Sequence, residues 1–157
     1  MISVLVAAKG EEAVIEQCLR SMLAQDYPRF ELILINDRSE DRTGQIGEAI
    51  AAEDPRLRVI HVEELAEGWF GKNNAMRLGV EAAGGDWLCF IDADCTQTSP
   101  STLSMAYQHA REHDARFLSV MPVLVADGFW EQVVQPVCGG IMVFWFRPER
   151  VNNPDKS

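Results

Sequence analysis

Trp87-Leu88-Cys89-Phe90-Ile91-Asp92-Ala93-Asp94 is the stretch from which the rest of the chain is read. Five largely apolar residues follow the turn signal Gly84-Gly85-Asp86, a run that predicts a strand buried on both faces. Two carboxylates come next, where that strand should leave its sheet. Ligands of open parallel sheets bind at the carboxyl ends of the strands. Side chains at i and i+2 of an extended segment project to one side, roughly 7 Å apart along the backbone. Asp92 and Asp94 can then converge on one divalent cation while Ala93 points away. Mg²⁺ or Mn²⁺ suits such a pair, because hard cations take one or two carboxylates and fill their shell with water and phosphate oxygen. A lone Asp-x-Asp is more often a polar strand end or a turn cap, and only the surrounding residues separate the two.

Upstream, apolar runs alternate with helical periodicity. Ile2 to Ala8, Phe30 to Ile35 and Leu57 to Val62 predict strands, and the polar groups Lys9-Gly10-Glu11-Glu12 and Asn36-Asp37-Arg38-Ser39 end the first two. Val14, Ile15, Cys18, Leu19, Met22 and Leu23 mark a helix whose N-terminal dipole Glu11 and Glu12 would favour. A second helix follows Asp41-Arg42-Thr43, with Ile46, Ala49 and Ile50 inward. After an irregular acidic segment, a third runs from Lys72 to about Ala83 and carries Ala75, Leu78, Gly79 and Ala82 on one face. Three of those four are small, so this helix can lie close to the sheet. Downstream, Ser99-Pro100 predicts a helix start, reaching about His113. Phe117 to Val125 predicts a strand at an edge or with a break at Pro122, and a helix or interfacial segment begins at Gly128. Strict alternation of strand and helix gives a parallel α/β sheet.

The chain has 157 residues, one domain by size, and its 47% hydrophobic content argues against disorder. A formal charge of −10 disfavours nucleic acid as a partner and suits a protein that recruits a cation before a phosphate-bearing ligand. Cys18, Cys89, Cys95 and Cys138 show no Cys-x-x-Cys pair, and three lie in apolar surroundings, as free thiols of a reducing compartment do. No leader pattern opens the sequence, and no apolar run approaches a membrane span. The expected location is cytoplasmic. Phe129 to Phe146 qualifies it: this unusually apolar stretch, followed by Arg147 and Arg150, fits peripheral membrane contact or a core segment whose packing partners are missing.

Three strand ends thus carry groups that a nucleotide diphosphate could use. They are Lys9 to Glu11, Asp37, and Asp92 with Asp94. Lys72 adds an ammonium at a helix N-terminus, a natural place for phosphate oxygens, although a lone lysine there is more often solvated surface. Asp37 suits a ribose or a base N–H edge, and equally an Asx turn.

An ordered set of motifs sharpens this. Ser3-Val4-Leu5-Val6, Glu11-Glu12, Cys18-Leu19-Arg20-Ser21-Met22-Leu23-Ala24-Gln25-Asp26-Tyr27-Pro28 and Asn36-Asp37-Arg38-Ser39-Glu40-Asp41-Arg42-Thr43 come first. Gly68-Trp69-Phe70-Gly71-Lys72-Asn73 follows with Ala75 and Gly79, then Ala83-Gly84-Gly85-Asp86 ahead of Asp92-Ala93-Asp94. In order and spacing the chain up to about Asp94 resembles the family 2 inverting glycosyltransferases of the GT-A fold. The resemblance implies a Rossmann-like three-layer α/β sandwich with a mostly parallel sheet, truncated on its C-terminal side. Residues 1–128 would be the nucleotide-sugar-binding half-domain, and residues 129–157 would lead to a missing acceptor-binding part. Lys9, Glu11, Asp37, Lys72 and Asp92 would hold a nucleotide-diphosphate sugar, a UDP-sugar as first expectation. Asp94, with Asp92, would ligate Mg²⁺ or Mn²⁺. The acceptor, which could be lipid-linked, would attack the anomeric carbon with help from a general base expected beyond Ser157.

Two departures matter. None of Glu112, Asp114, Asp127, Glu131, Glu149 and Asp155 stands in the context of the family's base, so little or no transfer is expected from this chain alone. Ala7-Ala8-Lys9-Gly10 replaces the family's usual proline and asparagine loop, which leaves base recognition open. Three rival readings stand beside the transferase. His109-Ala110-Arg111-Glu112-His113 matches a zinc-protease string, but Leu103, Ala106 and Ala110 mark it as a polar helix face. A nucleotidyltransferase would need a basic, glycine-rich first loop, and Glu11-Glu12 makes this one acidic. A non-catalytic nucleotide-binding module is the third.

Overall fold

The computed structural model describes residues 1–120, 122–123 and 128–146. Four strands, β1 (Ile2–Ala8), β2 (Phe30–Asp37), β3 (Leu57–Val62) and β4 (Trp87–Asp92), form one sheet in the order β3-β2-β1-β4. Every pairing in it is parallel. The crossovers hold α1 (Ile15–Leu23), α2 (Thr43–Glu53) and α3 (Gly71–Ala82), and α4 (Thr102–Glu112) follows β4. Alternation along the strands divides the core. Val4, Val6, Leu32 and Leu34 face α1, α2 and α4 through Ile15, Leu19, Met22, Ile50 and Leu103. Leu5, Ile33 and Ile35 face α3 through Ala75. The result is the expected three-layer α/β arrangement, two helical layers around a parallel sheet.

Small residues set how near the helices come. A Cβ on Gly79 of α3 would lie 2.8 Å from Ile35 Cδ1, and one on Gly47 of α2 would run into Leu34 Cδ2. Gly44 and Gly47 are buried on α2, whereas Ala49, expected inward, is exposed. The glycine face lets β2 and β3 fit against the helix more tightly than an alanine face could.

Three further expectations are corrected. β4 is not buried on both faces: its inner residues Cys89 and Ile91 join the core, while Leu88 and Phe90 are 40% and 53% exposed. It is an edge strand among the described residues, and α3 packs chiefly on β1 and β2. No strand forms at 117–120 or 122–123, where Pro122 cannot donate to a ladder; positions 121, 124 and 125 of that expected strand lie outside the described residues. α4 begins at Thr102, after a turn at Ser99-Pro100, and one of its first amides is capped from a distance: Leu103 N–H donates to Gln25 Oε1 at 2.9 Å.

Residues 1–118 form one compact unit and residues 119–157 another. The second contains α5 (Phe129–Phe146), with Pro136 inside it and Phe129, Trp130, Val137, Ile141, Phe144 and Trp145 exposed. Among the described residues no helix is long and apolar enough to cross a membrane.

At the amino ends of the strands Glu31 gathers three elements. Its Oε1 accepts from Ser3 Oγ at 2.6 Å and Gly84 N at 2.7 Å, and its Oε2 accepts from Arg58 Nη2 at 3.1 Å. Burial pushes this carboxyl up, but the three donors outweigh it and hold it below the usual range of about 4.5. A carboxylate depressed in the folded state stabilises above its unfolded value, and that contribution is lost as pH falls through the folded one. Below about pH 4.5, urea melts of the wild type should therefore show a steeper loss of stability than melts of Glu31→Gln. Superimposable pH profiles would contradict this. Gly85 nearby has no room for a side chain, since a Cβ would lie 2.7 Å from Ser3 N and 2.9 Å from Met1 O. Gly85→Ala is expected to cost about 1–3 kcal/mol in the same assay. At Gly84 a Cβ would meet only ordinary contacts at 3.4 Å, so Gly84→Ala should cost clearly less.

Candidate functional site

The register fixes where the polar strand ends fall. Ala8 pairs with Asn36 and Ala7 with Asp92, so Asp37 and Asp92 leave the sheet at one rim, on either side of β1. Two strand spacings separate their strands, about 10 Å. The loop after β1, with Lys9 and Glu11, lies between them in strand order.

That first loop is fastened to the loop after β2. Gly10 N–H donates to Ser39 Oγ at 3.0 Å, Glu11 N–H to Thr43 Oγ1 at 2.8 Å, and Glu12 N–H to Asp41 Oδ2 at 3.1 Å. In return Glu12 Oε2 accepts Arg42 N–H at 3.0 Å. The expectation that Glu12 serves the α1 dipole is corrected here, because its carboxylate turns to the start of α2; Glu16 occupies the first turn of α1. Ser39, Asp41 and Thr43 thus hold the backbone of Gly10, Glu11 and Glu12 to the loop that follows Asp37. Their motif was visible in the sequence, but their role as a clasp was not.

The N-terminus of α3 fits between the two acidic strand ends. A Cβ on Gly71 would lie 2.8 Å from Asp37 Oδ2, so only glycine permits this approach. The next residue, Lys72, places Nζ 2.6 Å from Asp92 Oδ1. Asp37, Lys72 and Asp92, predicted from separate motifs, are therefore linked through two consecutive residues of one helix start. Lys72 and Asp92 have 62% and 58% exposed side chains, so their ion pair is worth at most about 1 kcal/mol to the fold. Lys72→Met should accordingly leave the unfolding free energy within about 1 kcal/mol of wild type, and a larger loss would give the pair a structural role.

Asp94 departs from the expected geometry. β4 stops at Asp92, and Cys95 N–H donates back to the Asp92 carbonyl at 3.0 Å, so Ala93-Asp94 form a turn rather than an extended continuation. Ala93 is 5% exposed and packs in the core, while Asp92 and Asp94 both face solvent. Cys18 of α1 lies beneath this turn, its Sγ 3.7 Å from the Asp92 carbonyl oxygen. Burial first, then the neighbouring Cys95, Asp94 and Asp92, push this thiol up to about 12, which keeps it protonated and unreactive. Gln25 and Ser21 tie the far side of the turn to α1: Gln25 Nε2 donates to Ser99 O at 2.8 Å and Gln97 N–H to Ser21 Oγ at 3.0 Å.

Among the described residues no three potential metal-binding side chains gather in one place. Two exposed carboxylates beside a lysine fit the donor set that Mg²⁺ or Mn²⁺ takes when phosphate and water complete its shell; they do not fit an all-protein cage. The zinc-protease string carries no such cluster either. His109 and His113 are exposed and their rings stack with centroids 4.2 Å apart; of the expected buried side, Leu103 and Ala110 are buried and Ala106 is half-buried. The four cysteines are all free, with Cys18 buried and Cys138 exposed.

Sequence reasoning passed over Arg38. Its backbone is left-handed at φ 55°, a conformation that costs a non-glycine residue about 1 kcal/mol or more. Its guanidinium grips the preceding carboxylate, Nε to Asp37 Oδ1 at 2.8 Å and Nη2 to Oδ2 at 3.0 Å. The positive φ is not legible in a string without glycine, so nothing local announced this fork.

The sheet, its helices and the acidic rim define an α/β domain of the open parallel kind, with its candidate site at the strand carboxyl ends. The family model described as glycosyl transferase family 2 matches residues 3–153, and the chain belongs to that family. A curated relative, the uncharacterized glycosyltransferase EpsJ of Bacillus subtilis (strain 168), is 39% identical over 94 residues, 60% of this chain and 26% of that protein. Among solved structures, S. aureus TarS 1-349 in complex with UDP is similar with 30% identity and a TM-score of 0.61, covering 72% of this chain and 32% of that one. The mannosyltransferase PcManGT from Pyrobaculum calidifontis in complex with GDP-Man and Mn²⁺ aligns with 26% identity and a TM-score of 0.62, over 69% of this chain and 32% of that one. The chain spans about a quarter to a third of the length of these proteins.

Proposed function

We propose that this chain is the donor-binding part of an inverting glycosyltransferase that takes a sugar from a nucleotide diphosphate, a UDP-sugar first among the candidates. The observation that carries this reading is the convergence of Asp37, Lys72 and Asp92 at one rim around the start of α3. In the proposal Asp37 and Glu11 receive the nucleoside, Lys9 borders it, and Lys72 meets the diphosphate. Asp92 and Asp94 hold Mg²⁺ or Mn²⁺. Bound there, the cation would neutralise charge on the departing diphosphate. Lys72 lies where it can exchange Asp92 for a phosphate oxygen, since both ends of that pair are exposed. The Mn²⁺ and GDP-Man bound by PcManGT and the UDP bound by TarS support a metal and a nucleotide as ligands.

The acceptor is proposed to be lipid-linked, reached from the cytoplasmic face of a membrane that the protein contacts peripherally. The support is the exposed apolar surface of α5, where Trp130, Phe144 and Trp145 are each more than 70% exposed. The attacking hydroxyl needs a general base; of the acidic residues after Asp94, Asp127, Glu149 and Asp155 lie outside the described residues. The acidic first loop and the family membership leave the nucleotidyltransferase reading without support.

A thermal-shift panel of UDP, GDP and CDP, each with and without Mn²⁺, tests the site. A ligand at a hundred times its dissociation constant should add roughly 2.7 kcal/mol of stability. The expected result is a shift by one nucleotide that needs Mn²⁺ and disappears in Asp94→Ala. Equal shifts in the variant would remove Asp94 from the site, and no shift with any nucleotide would overturn the donor-binding proposal.

A further inference from the structure

We infer that Arg38 is a positioning residue for the donor nucleoside and that it acts through Asp37; the inference rests on the donor-binding reading above. Neighbouring side chains of a strand point to opposite faces, so consecutive residues do not ordinarily meet. Arg38 meets Asp37 because its left-handed backbone, φ 55°, folds the side chain back over the end of β2. Both carboxylate oxygens are engaged, at 2.8 and 3.0 Å. The Asp37 side chain is only 5% exposed, and a carboxylate so placed needs a fixed counter-charge. A bidentate fork supplies it and also fixes the plane of the carboxylate, which a point charge would not. A carboxylate oxygen has more than one lone-pair site, and in the proposal the second accepts from a ribose hydroxyl or a base N–H.

The start of α3 locks this geometry from outside. A Cβ at Gly71 would meet Arg38 Nη2 at 3.1 Å as well as Asp37 Oδ2 at 2.8 Å, so the fork and the helix start are in direct apposition. Arg38 thereby serves the nucleoside end of the ligand, and Lys72, one residue past Gly71, serves the diphosphate end. The consequence is a separation of effects. Loss of Arg38 weakens whatever reads the nucleoside and leaves the metal–diphosphate contacts intact.

Isothermal titration of the full chain tests this with three probes: UDP with Mn²⁺, GDP with Mn²⁺, and pyrophosphate with Mn²⁺ as the ligand that has no nucleoside. Wild type must bind UDP or GDP; binding of neither overturns the donor-binding reading itself, whatever the variants do. With that binding in hand, Arg38→Ala is expected to weaken the preferred nucleotide about tenfold or more while pyrophosphate stays within about twofold. Arg38→Lys, which keeps the charge and loses the fork, should recover only part of the loss and guards against a folding defect in the alanine variant. Asp37→Asn and the double variant Asp37→Asn/Arg38→Ala should bind equally, because the two residues act as a unit. Wild-type affinity in Arg38→Ala, a parallel loss of pyrophosphate, or additive losses in the double variant would each overturn the inference.

Discussion

The parallel pairing of β1 with β2 on one side and β4 on the other is the constraint from which the remaining features follow. A shift of one residue in a strand register exchanges its two faces. Here such a shift would turn Val4, Val6, Leu32 and Leu34 toward α3 and bring Leu5, Ile33 and Ile35 to the face that α1 and α2 cover. The fit of each face to its own helices, Gly47 on Leu34 and Gly79 on Ile35, goes with the pairing of Ala8 with Asn36 and of Ala7 with Asp92. Because every strand runs the same way, all the polar strand ends are delivered to one rim. The site is a by-product of the core.

Missing side chains then decide how close the surrounding pieces come. Gly79 brings α3 down onto Ile35, and Gly71 at the head of the same helix brings it against Asp37 and Arg38. The two glycines work at opposite chemical poles of one helix, one in contact with hydrocarbon and the other with an ion pair. In a chain of net charge −10, two acidic strand ends each carry a cation supplied from a neighbouring loop or helix: Arg38 on Asp37 and Lys72 on Asp92. The first pair is sheltered and fork-shaped, the second exposed and single-pronged. A sheltered pair holds its geometry, while an exposed one can trade partners with little change in free energy.

The clasp between the loops after β1 and β2 shows how one motif can be read correctly for the wrong reason. Asp41 and Thr43 were expected to lead into a helix, and they do. Their side chains also receive the amides of Glu12 and Glu11, and Ser39 receives that of Gly10. Those amides belong to a loop about 30 positions away, and no local pattern specifies such a partner.

The first four strands, the buried faces of α1 and α3, the small-residue stripe of α3 and the acidic strand ends were written in the sequence, because periodicity and composition are local properties. Asp37, Lys72 and Asp92 could be named from it, and so could the class of fold. What only the tertiary structure decided was placement: β4 at an edge with Leu88 and Phe90 uncovered, and Ala93-Asp94 turning instead of extending. The Gln25 cap on a distant helix and the fold-back of Arg38 belong with them. Each of these depends on which element lies alongside, or on a backbone torsion that its neighbours impose. A one-dimensional pattern records what a residue prefers, whereas packing determines which of those preferences is granted.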